Sequence, residues 1–414
     1  MKKEGALFFV LIFIISVHSI LAQFDPNVAS VINQVSSDQL MDNLNYLTGV
    51  KPVTVPSGTF SITSRHSNQF TNQIAEEYLK QQLESYGLPT AMQYFDGGGG
   101  NVIATQLGYK YPQKQIIICA HFDNMPTSYI GPGADDNASG TSAVLEAARI
   151  LSRIKTDYTI IYALWDKEEQ GLLGSSYYAY LARARNDDII AVINLDMIGW
   201  DSNNDNIAEV HYRNYSTSLT IADNMYKINN TYQISLNLVG VYPGTTASDQ
   251  ASFWYNNYPA VLLIEDYDNT NGTRDFNSYY HTANDKIDFI NKTYFEKCAK
   301  VAIGTLATYA GIQTPTSVDF TQPLAFSLSQ NYPNPFNSAT TISYQLEKES
   351  HVKIVVYDLI GKEVAVLVDR VQQPNSYSVY FDAEKYNGGL SAGLYFYTMY
   401  SDNFANSRKM LYLK

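Results

Sequence analysis

Over the first 312 positions, short unbroken apolar runs alternate with stretches in which apolar residues recur every three or four places. The runs at 116–119, 158–165, 189–195 and 260–264 predict strands covered on both faces, because a strand with one wet face would alternate apolar with polar. Helical spacing fills 68–86 and closes at Gly87, a residue suited to ending a helix. The same period marks 139–154, 172–185, 216–230 and 292–312. Strands separated by helices predict an α/β unit with a mostly parallel sheet and helices on both faces.

Near residue 313 the rhythm changes. The segment 313–325 (QTPTSVDFTQPLA) reads as a Pro/Thr-rich linker. Beyond it, short alternating segments at 341–346, 352–357, 377–381 and 394–399 are punctuated by turn residues, among them Asn334-Pro335, Gly361 and Asn387-Gly388-Gly389. That pattern predicts a small all-β sandwich over 326–414. At the other end, Met1-Lys2-Lys3 precedes an apolar run at 6–15 and a more polar stretch at 16–23. This is the three-part pattern of a secretory signal peptide, with Ala22 as the last residue before cleavage. The apolar run is shorter than the roughly 20 residues a spanning helix needs. No later stretch is longer, so the mature chain is expected to lack a transmembrane segment. The expected division is 1–22 signal peptide, 23–312 α/β domain, 313–325 linker and 326–414 sandwich.

Composition narrows the function classes. The 414 residues are 45% hydrophobic, enough for a sizeable core, and the length suits two or three domains. Lys and Arg number 28 against 40 Asp and Glu, a net charge of −12 without basic runs. Nucleic acid is therefore not an expected partner, since no electrostatic footprint for phosphate is present. Two cysteines, Cys119 and Cys298, exclude a disulfide framework and allow one bridge at most.

Ligands of open parallel sheets bind beyond the carboxyl ends of the strands, so the residues there report on function. The first buried run ends in His121-Phe122-Asp123, the second leads to Glu168-Glu169, and the third ends at Asp196. After the fourth, a loop carries His281-Thr282 ahead of Asp285, and Asp135-Asp136-Asn137 opens the helix that follows the first run. Each has a bland reading when taken alone. His121 could be a core histidine, Asp135-Asp136-Asn137 a turn and helix cap, Glu168-Glu169 a solvated helix start, Asp196 a turn cap, and His281 a surface residue. Together they crowd carboxylates into one crevice, where like charges disfavour joint ionisation. A pair of divalent cations turns that repulsion into attraction, and a mixed His/carboxylate set suits catalytic zinc.

The motifs His121-x-Asp123, the segment 132–140 (PGADDNASG), Glu168-Glu169-x-Gly171-Leu172-x-Gly174-Ser175, Asn194-Leu195-Asp196-Met197 and His281-Thr282 resemble those of the M28 zinc aminopeptidases over about residues 30–312. The resemblance implies a zinc-exopeptidase fold and two zinc ions per chain bridged by Asp136. His121 and Asp196 would complete one metal site, and Glu169 and His281 the other. It further implies Glu168 as general base and Asp123 as the residue that orients the His121 ring. Peptides would be the substrates, with residues removed from the amino terminus. Two departures stand out: the family's Ser-Asp-His segment reads Ser248-Asp249-Gln250, and the 243–247 stretch before it has no Tyr, with Tyr242 the nearest candidate for an oxyanion donor. Rival readings are a glutaminyl-cyclase-like acyltransferase or a carboxypeptidase on the same fold, and a surface binding protein that is no enzyme.

The C-terminal segment 331–337 (NYPNPFN), together with Tyr357-Asp358-x-x-Gly361-Lys362-Glu363-Val364 and the ending 409–414 (KMLYLK), is similar to a type A sorting domain of the type IX (Por) secretion system. That resemblance implies the type IX machinery as a partner and a secreted or cell-surface location.

Overall fold

The computed structural model describes residues 24–413 apart from 96–97, 127–129, 269–273, 313–325, 329, 332–333, 374, 387–388 and 403. The predicted signal segment 1–22 and linker 313–325 lie outside the described residues. Helices α1 (Pro26–Ile32) and α2 (Ser37–Leu47) precede a small hairpin of β1 (Val53–Val55) and β2 (Gly58–Phe60), then helix α3 (Phe70–Ser85). Strands β3 (Thr90–Phe95) and β4 (Gly99–Gln106) lead into β5 (Tyr111–His121), α4 (Ala138–Leu151), β6 (Tyr158–Trp165), α5 (Leu173–Arg185) and β7 (Asp188–Leu195). There follow β8 (Ile207–His211), α6 (Ser218–Thr231), β9 (Asn237–Val241), α7 (Gln250–Tyr255), β10 (Ala260–Ile264) and α8 (Lys292–Ala310).

The large sheet has eight strands in the order β3-β4-β6-β5-β7-β10-β8-β9. Its centre, β6-β5-β7-β10, is parallel throughout, whereas β3/β4, β4/β6 and β10/β8 pair antiparallel and β8/β9 is parallel again. The parallel strands are the four apolar runs of the sequence. The flanking ones carry polar and half-buried positions, as in β3 (Thr90–Phe95), and so escape a search for unbroken apolar stretches.

Alternate residues of the central strands feed two cores. Ile116, Ile118, Tyr162 and Ile193 pack with α4 and α8 on one face, and Ile117, Cys119, Ala163 and Val192 with α5 and α7 on the other. Cys119 and Cys298 lie in opposite cores and are free thiols, so no bridge forms. The chain runs from β5 to β6 on one side and returns to β7 on the other side of β5. That reversal opens a crevice at the carboxyl ends of β5 and β7.

The C-terminal residues form a sandwich of two sheets. One is β11 (Ser327–Leu328), β13 (Ala339–Leu346) and β16 (Asn375–Asp382). The other, in the order β12-β18-β17-β14-β15, contains β12 (Phe336–Asn337), β14 (Ser350–Tyr357), β15 (Glu363–Gln372), β17 (Gly393–Ser401) and β18 (Phe404–Leu413). Phe336, Ile342, Ile354, Phe381, Tyr397 and Tyr412 fill the space between them. The alternating pattern marked four of these strands. It missed the two-residue strands β11 and β12, and also β15 and β18, whose charged residues Asp369, Arg370, Arg408 and Lys409 dilute the apolar alternation. No helix among the described residues is long and apolar enough to cross a membrane.

Candidate metal centre

Because β5, β6 and β7 run parallel, their last residues come out along one edge, and the loops there carry the acidic and imidazole groups. His121 is the last residue of β5. Its Nδ1 donates to the backbone carbonyl of Asp123 at 3.1 Å, which turns the Nε2 lone pair towards the crevice. The fully buried Asp123 carboxylate lies 3.4 Å from the same Nδ1 and accepts the backbone N–H groups of Glu168 (3.0 Å) and Glu169 (3.3 Å). One aspartate therefore fixes the loop after β6 against the end of β5.

Asp136 reaches the crevice from the turn ahead of α4. Asn137 caps that helix by accepting from Gly140 N–H at 2.9 Å, and its amide donates to the Leu195 carbonyl at the end of β7. The turn needs glycine at 133: its φ is +54°, and a Cβ there would lie 2.4 Å from the Asp136 carbonyl oxygen. Asp285 accepts both the Asp135 and Asp136 N–H groups, at 3.1 and 3.0 Å. Lys167, Met197 and His281, each beside or within the acidic set, hold left-handed backbone at φ 59°, 49° and 58°. Such strain persists only where the surroundings enforce it, and it gathers at functional sites.

The structure brings all seven of the expected site residues into or beside this crevice. His121 Nε2 stands 3.3 Å from Asp196 Oδ1, 3.5 Å from Asp136 Oδ1 and 4.0 Å from Glu168 Oε2. His281 Nε2 stands 3.2 Å from Asp136 Oδ2 and 2.9 Å from Glu169 Oε2. Asp136 thus turns one oxygen to each imidazole. Among the described residues, two groups could hold a metal ion: His121 with Asp136 and Glu169, and His121 with Glu168 and Asp196.

Charge at the centre is strongly perturbed. Burial opposes a charged His121 ring, yet the Glu168 and Asp196 carboxylates outweigh it and hold its pKa well above that of free histidine. Burial likewise opposes charge on His281, but Asp136 and Glu169 raise it to about 10. Burial and the neighbouring Glu169 push Asp136 well above the usual carboxylate range, and burial does the same to Glu168. Burial and mutual repulsion make Asp136 and Glu168 hold protons that exposed carboxylates would have released. Donors about 2.0–2.1 Å from a tetrahedral ion are separated by roughly 3.3 Å, close to the 3.3, 3.5, 3.2 and 2.9 Å found here. The chemistry and spacing of these donors fit a divalent cation.

Sequence reading missed the residues behind the centre. Arg65 is fully buried and donates to four backbone carbonyls: Phe122 (2.6 Å), Leu47 (2.7 Å), Pro132 (2.6 Å) and Gly133 (2.7 Å). It ties the segment after His121 to the turn before Asp136 and sets a cation beneath the acidic cluster. Asp249, of the departing Ser-Asp-Gln segment, is buried near Glu168, and burial raises its carboxyl to about 7. No pattern in the chain marks Arg65; Asp249 was visible only as part of a divergent motif.

A cavity of about 350 Å³ adjoins His121, Asp136, Glu168 and Asp196, with walls from Met197, Leu262, Ile264, Tyr267, Phe276 and Tyr280. Phe253 packs in the core against Trp165 and Tyr178, and Trp254 stacks on Tyr215. Tyr242 is 60% exposed, packs at a tilt against Tyr212 and is not part of the cavity wall.

Comparison with known proteins agrees with this geometry. Peptidase family M28 matches residues 101–306, and the secretion system C-terminal sorting domain matches residues 330–412. A probable zinc metalloprotease of Pyrenophora tritici-repentis is 31% identical over 157 residues, covering 34% of this chain and 32% of that protein. A probable leucine aminopeptidase of Arthroderma otae is 31% identical over 220 residues, covering 51% of this chain and 57% of that protein. The chain spans about a third of the length of the curated zinc metalloproteases it matches. In fold, the Legionella pneumophila LapA aminopeptidase superposes with a TM-score of 0.59 at 23% identity, covering 70% of this chain and 76% of that one. A Bacteroides thetaiotaomicron glutaminyl cyclase superposes at 0.53 and 20% identity, covering 66% and 97%. Through residues 101–306 the chain belongs to peptidase family M28, and through residues 330–412 it carries a secretion-system C-terminal sorting domain.

Proposed function

We propose that the protein is a secreted dinuclear zinc aminopeptidase. The division into signal peptide 1–22, peptidase domain 23–312, linker 313–325 and sorting domain 326–414 belongs to that reading. The observation that carries it is Asp136, whose two oxygens face the imidazoles of His121 and His281 at 3.5 and 3.2 Å. In this reading His121, Asp136 and Asp196 hold one ion, and Asp136, Glu169 and His281 the other. When bound, such a pair supplies a water of lowered pKa and a Lewis acid for a carbonyl.

The remaining work falls to the chain's own groups. Of the three carboxylates within 4.0 Å of His121 Nε2, Glu168 is the farthest, and in this reading it acts as general base: it takes the proton of the attacking water and delivers it to the leaving amine. Its raised proton affinity, a consequence of burial, suits a group that must accept a proton and then release it. Asp123 keeps the His121 ring and the Glu168-Glu169 backbone in place. The apolar walls of the cavity receive the substrate's side chain and exclude water from it.

The glutaminyl-cyclase reading shares the fold but does not call for the paired imidazoles around Asp136. Removal of metal with a strong chelator is expected to abolish hydrolysis of leucine p-nitroanilide, and added zinc to restore it. Activity that survives complete metal removal overturns the proposal, and pyroglutamate formation from an N-terminal Gln peptide without amino-acid release favours the cyclase.

A further inference from the structure

Four of the five proposed ligands are held by the sheet or by groups already described. His121 ends β5, Asp196 follows β7, Asp136 precedes the capped start of α4, and Asp123 fixes the Glu169 backbone. His281 is the exception. It sits in the stretch between β10 and α8, outside any strand or α-helix.

One side chain holds the loop that carries it. Asn277 is buried, and its amide is fully used. Nδ2 donates to Asp135 Oδ2 at 3.1 Å and to Asp285 Oδ1 at 3.3 Å, while Oδ1 accepts the Tyr279 N–H at 2.8 Å. The Asn277 backbone N–H donates to Glu265 Oε1 at 2.7 Å, just past the end of β10. Asn277 and Asp285 are eight positions apart with His281 midway, so their bond closes the loop at its base. Asp285 also accepts the Asp135 and Asp136 N–H groups, and Asp135 accepts the Gly199 N–H at 2.8 Å. The closed loop is therefore seated on the turn that presents Asp136. His281 Nε2 and Asp136 Oδ2, 3.2 Å apart, are fixed relative to each other through Asn277.

The chemistry of the place is narrow. Asp135, Glu265 and Asp285 all turn carboxyl oxygens to residue 277. It calls for a neutral side chain with two N–H donors and one acceptor, which asparagine supplies. An aspartate has the same shape but no N–H donor, and it brings a fourth carboxyl among three.

We infer that Asn277 is a positioning residue for the half of the metal centre that contains His281. It clasps the His281 loop to the Asp136 turn and thereby sets the affinity of that half for its ion. This rests on the dinuclear reading of the centre.

Zinc titration of the full chain, in competition with a chromogenic chelator, tests the clasp. His281→Ala identifies which of two binding steps belongs to the His281 half. Asn277→Asp is expected to weaken that step about 10–100-fold and to leave the other unchanged. Adding Asp285→Asn returns an amide to the pair from the other side and is expected to recover part of the loss. General destabilisation would instead weaken both steps alike and would not be recovered. Asn277→Ala, which removes the donors without adding charge, is expected to show a smaller loss at the same step, and it decides the matter where Asn277→Asp does not fold. An unchanged His281 step, equal weakening of both steps, or a loss that Asp285→Asn leaves untouched overturns the assignment. A wild-type chain that takes up a single ion discards the dinuclear reading; the clasp then stands if Asn277→Asp weakens that ion and Asp285→Asn restores it, and falls otherwise.

Discussion

Glu168→Gln separates the roles of base and ligand within a crowded set of carboxylates. Glu168 can be grouped with His121 and Asp196 as a possible metal-holding trio, so geometry alone admits it as a ligand. In the proposed reading Glu168, at 4.0 Å from His121 Nε2 against 3.3 Å for Asp196 and 3.5 Å for Asp136, serves the proton instead. The amide conserves the volume of the side chain. The loop also keeps its shape, because Asp123 holds it through the backbone N–H groups of residues 168 and 169 rather than through the Glu168 side chain. Loss of a general base costs about 10²-fold to 10⁴-fold in kcat, which is roughly 2.7–5.5 kcal/mol of barrier at about 1.36 kcal/mol per tenfold. The assay pairs elemental analysis of the gel-filtered variant with steady-state hydrolysis of leucine p-nitroanilide in saturating zinc. Unchanged metal content with that loss of kcat is expected. Loss of a metal equivalent would make Glu168 a ligand, and near-normal turnover would leave the reaction without its base.

Asp123→Ala removes an acceptor near the His121 ring and both acceptors of the Glu168-Glu169 backbone. Zinc affinity should fall about 10–100-fold in competition with a chromogenic chelator, and an unchanged affinity refutes the orienting role. Arg65→Met leaves the carbonyls of Leu47, Phe122, Pro132 and Gly133 without their buried donor. Chemical denaturation of the zinc-loaded protein should show a loss of about 3–6 kcal/mol, and a loss below about 1 kcal/mol contradicts the bracing role. Burial, with Asp166 nearby, raises the Glu76 carboxyl to about 8 from an ordinary 4.5. Between those values the folded chain keeps a proton that the unfolded chain has released, so this group makes stability fall as pH rises. Glu76→Gln should flatten the decline of Tm across that window, and an unaltered slope refutes the assignment.

The central sheet and the metal centre were legible in the sequence for one reason. Parallel strands buried on both faces are unbroken apolar runs, and the residues at or just beyond their ends are the proposed ligands and base. His121, Glu168-Glu169 and Asp196 follow this rule directly. The edge strands β3 and β9 did not stand out, since strands with half-wet faces mix polar and apolar residues, and β8, though mostly buried, has its apolar run broken by Glu209 and His211. Arg65 was invisible because its partners are backbone carbonyls up to 68 positions away, and a carbonyl has no sequence signature. Arg274, Phe276 and Tyr280 lie in a polar stretch after β10 without periodicity, and only the fold turns that stretch towards the crevice. Tyr242, the nearest tyrosine in sequence to the departing motif, points elsewhere because it packs on Tyr212.

The most direct check on the paired centre is anomalous diffraction at the zinc edge from crystals grown with zinc. Two peaks are expected, one against His121 and Asp196 and one against Glu169 and His281, with Asp136 between them. A single peak, or peaks away from Asp136, would contradict the account.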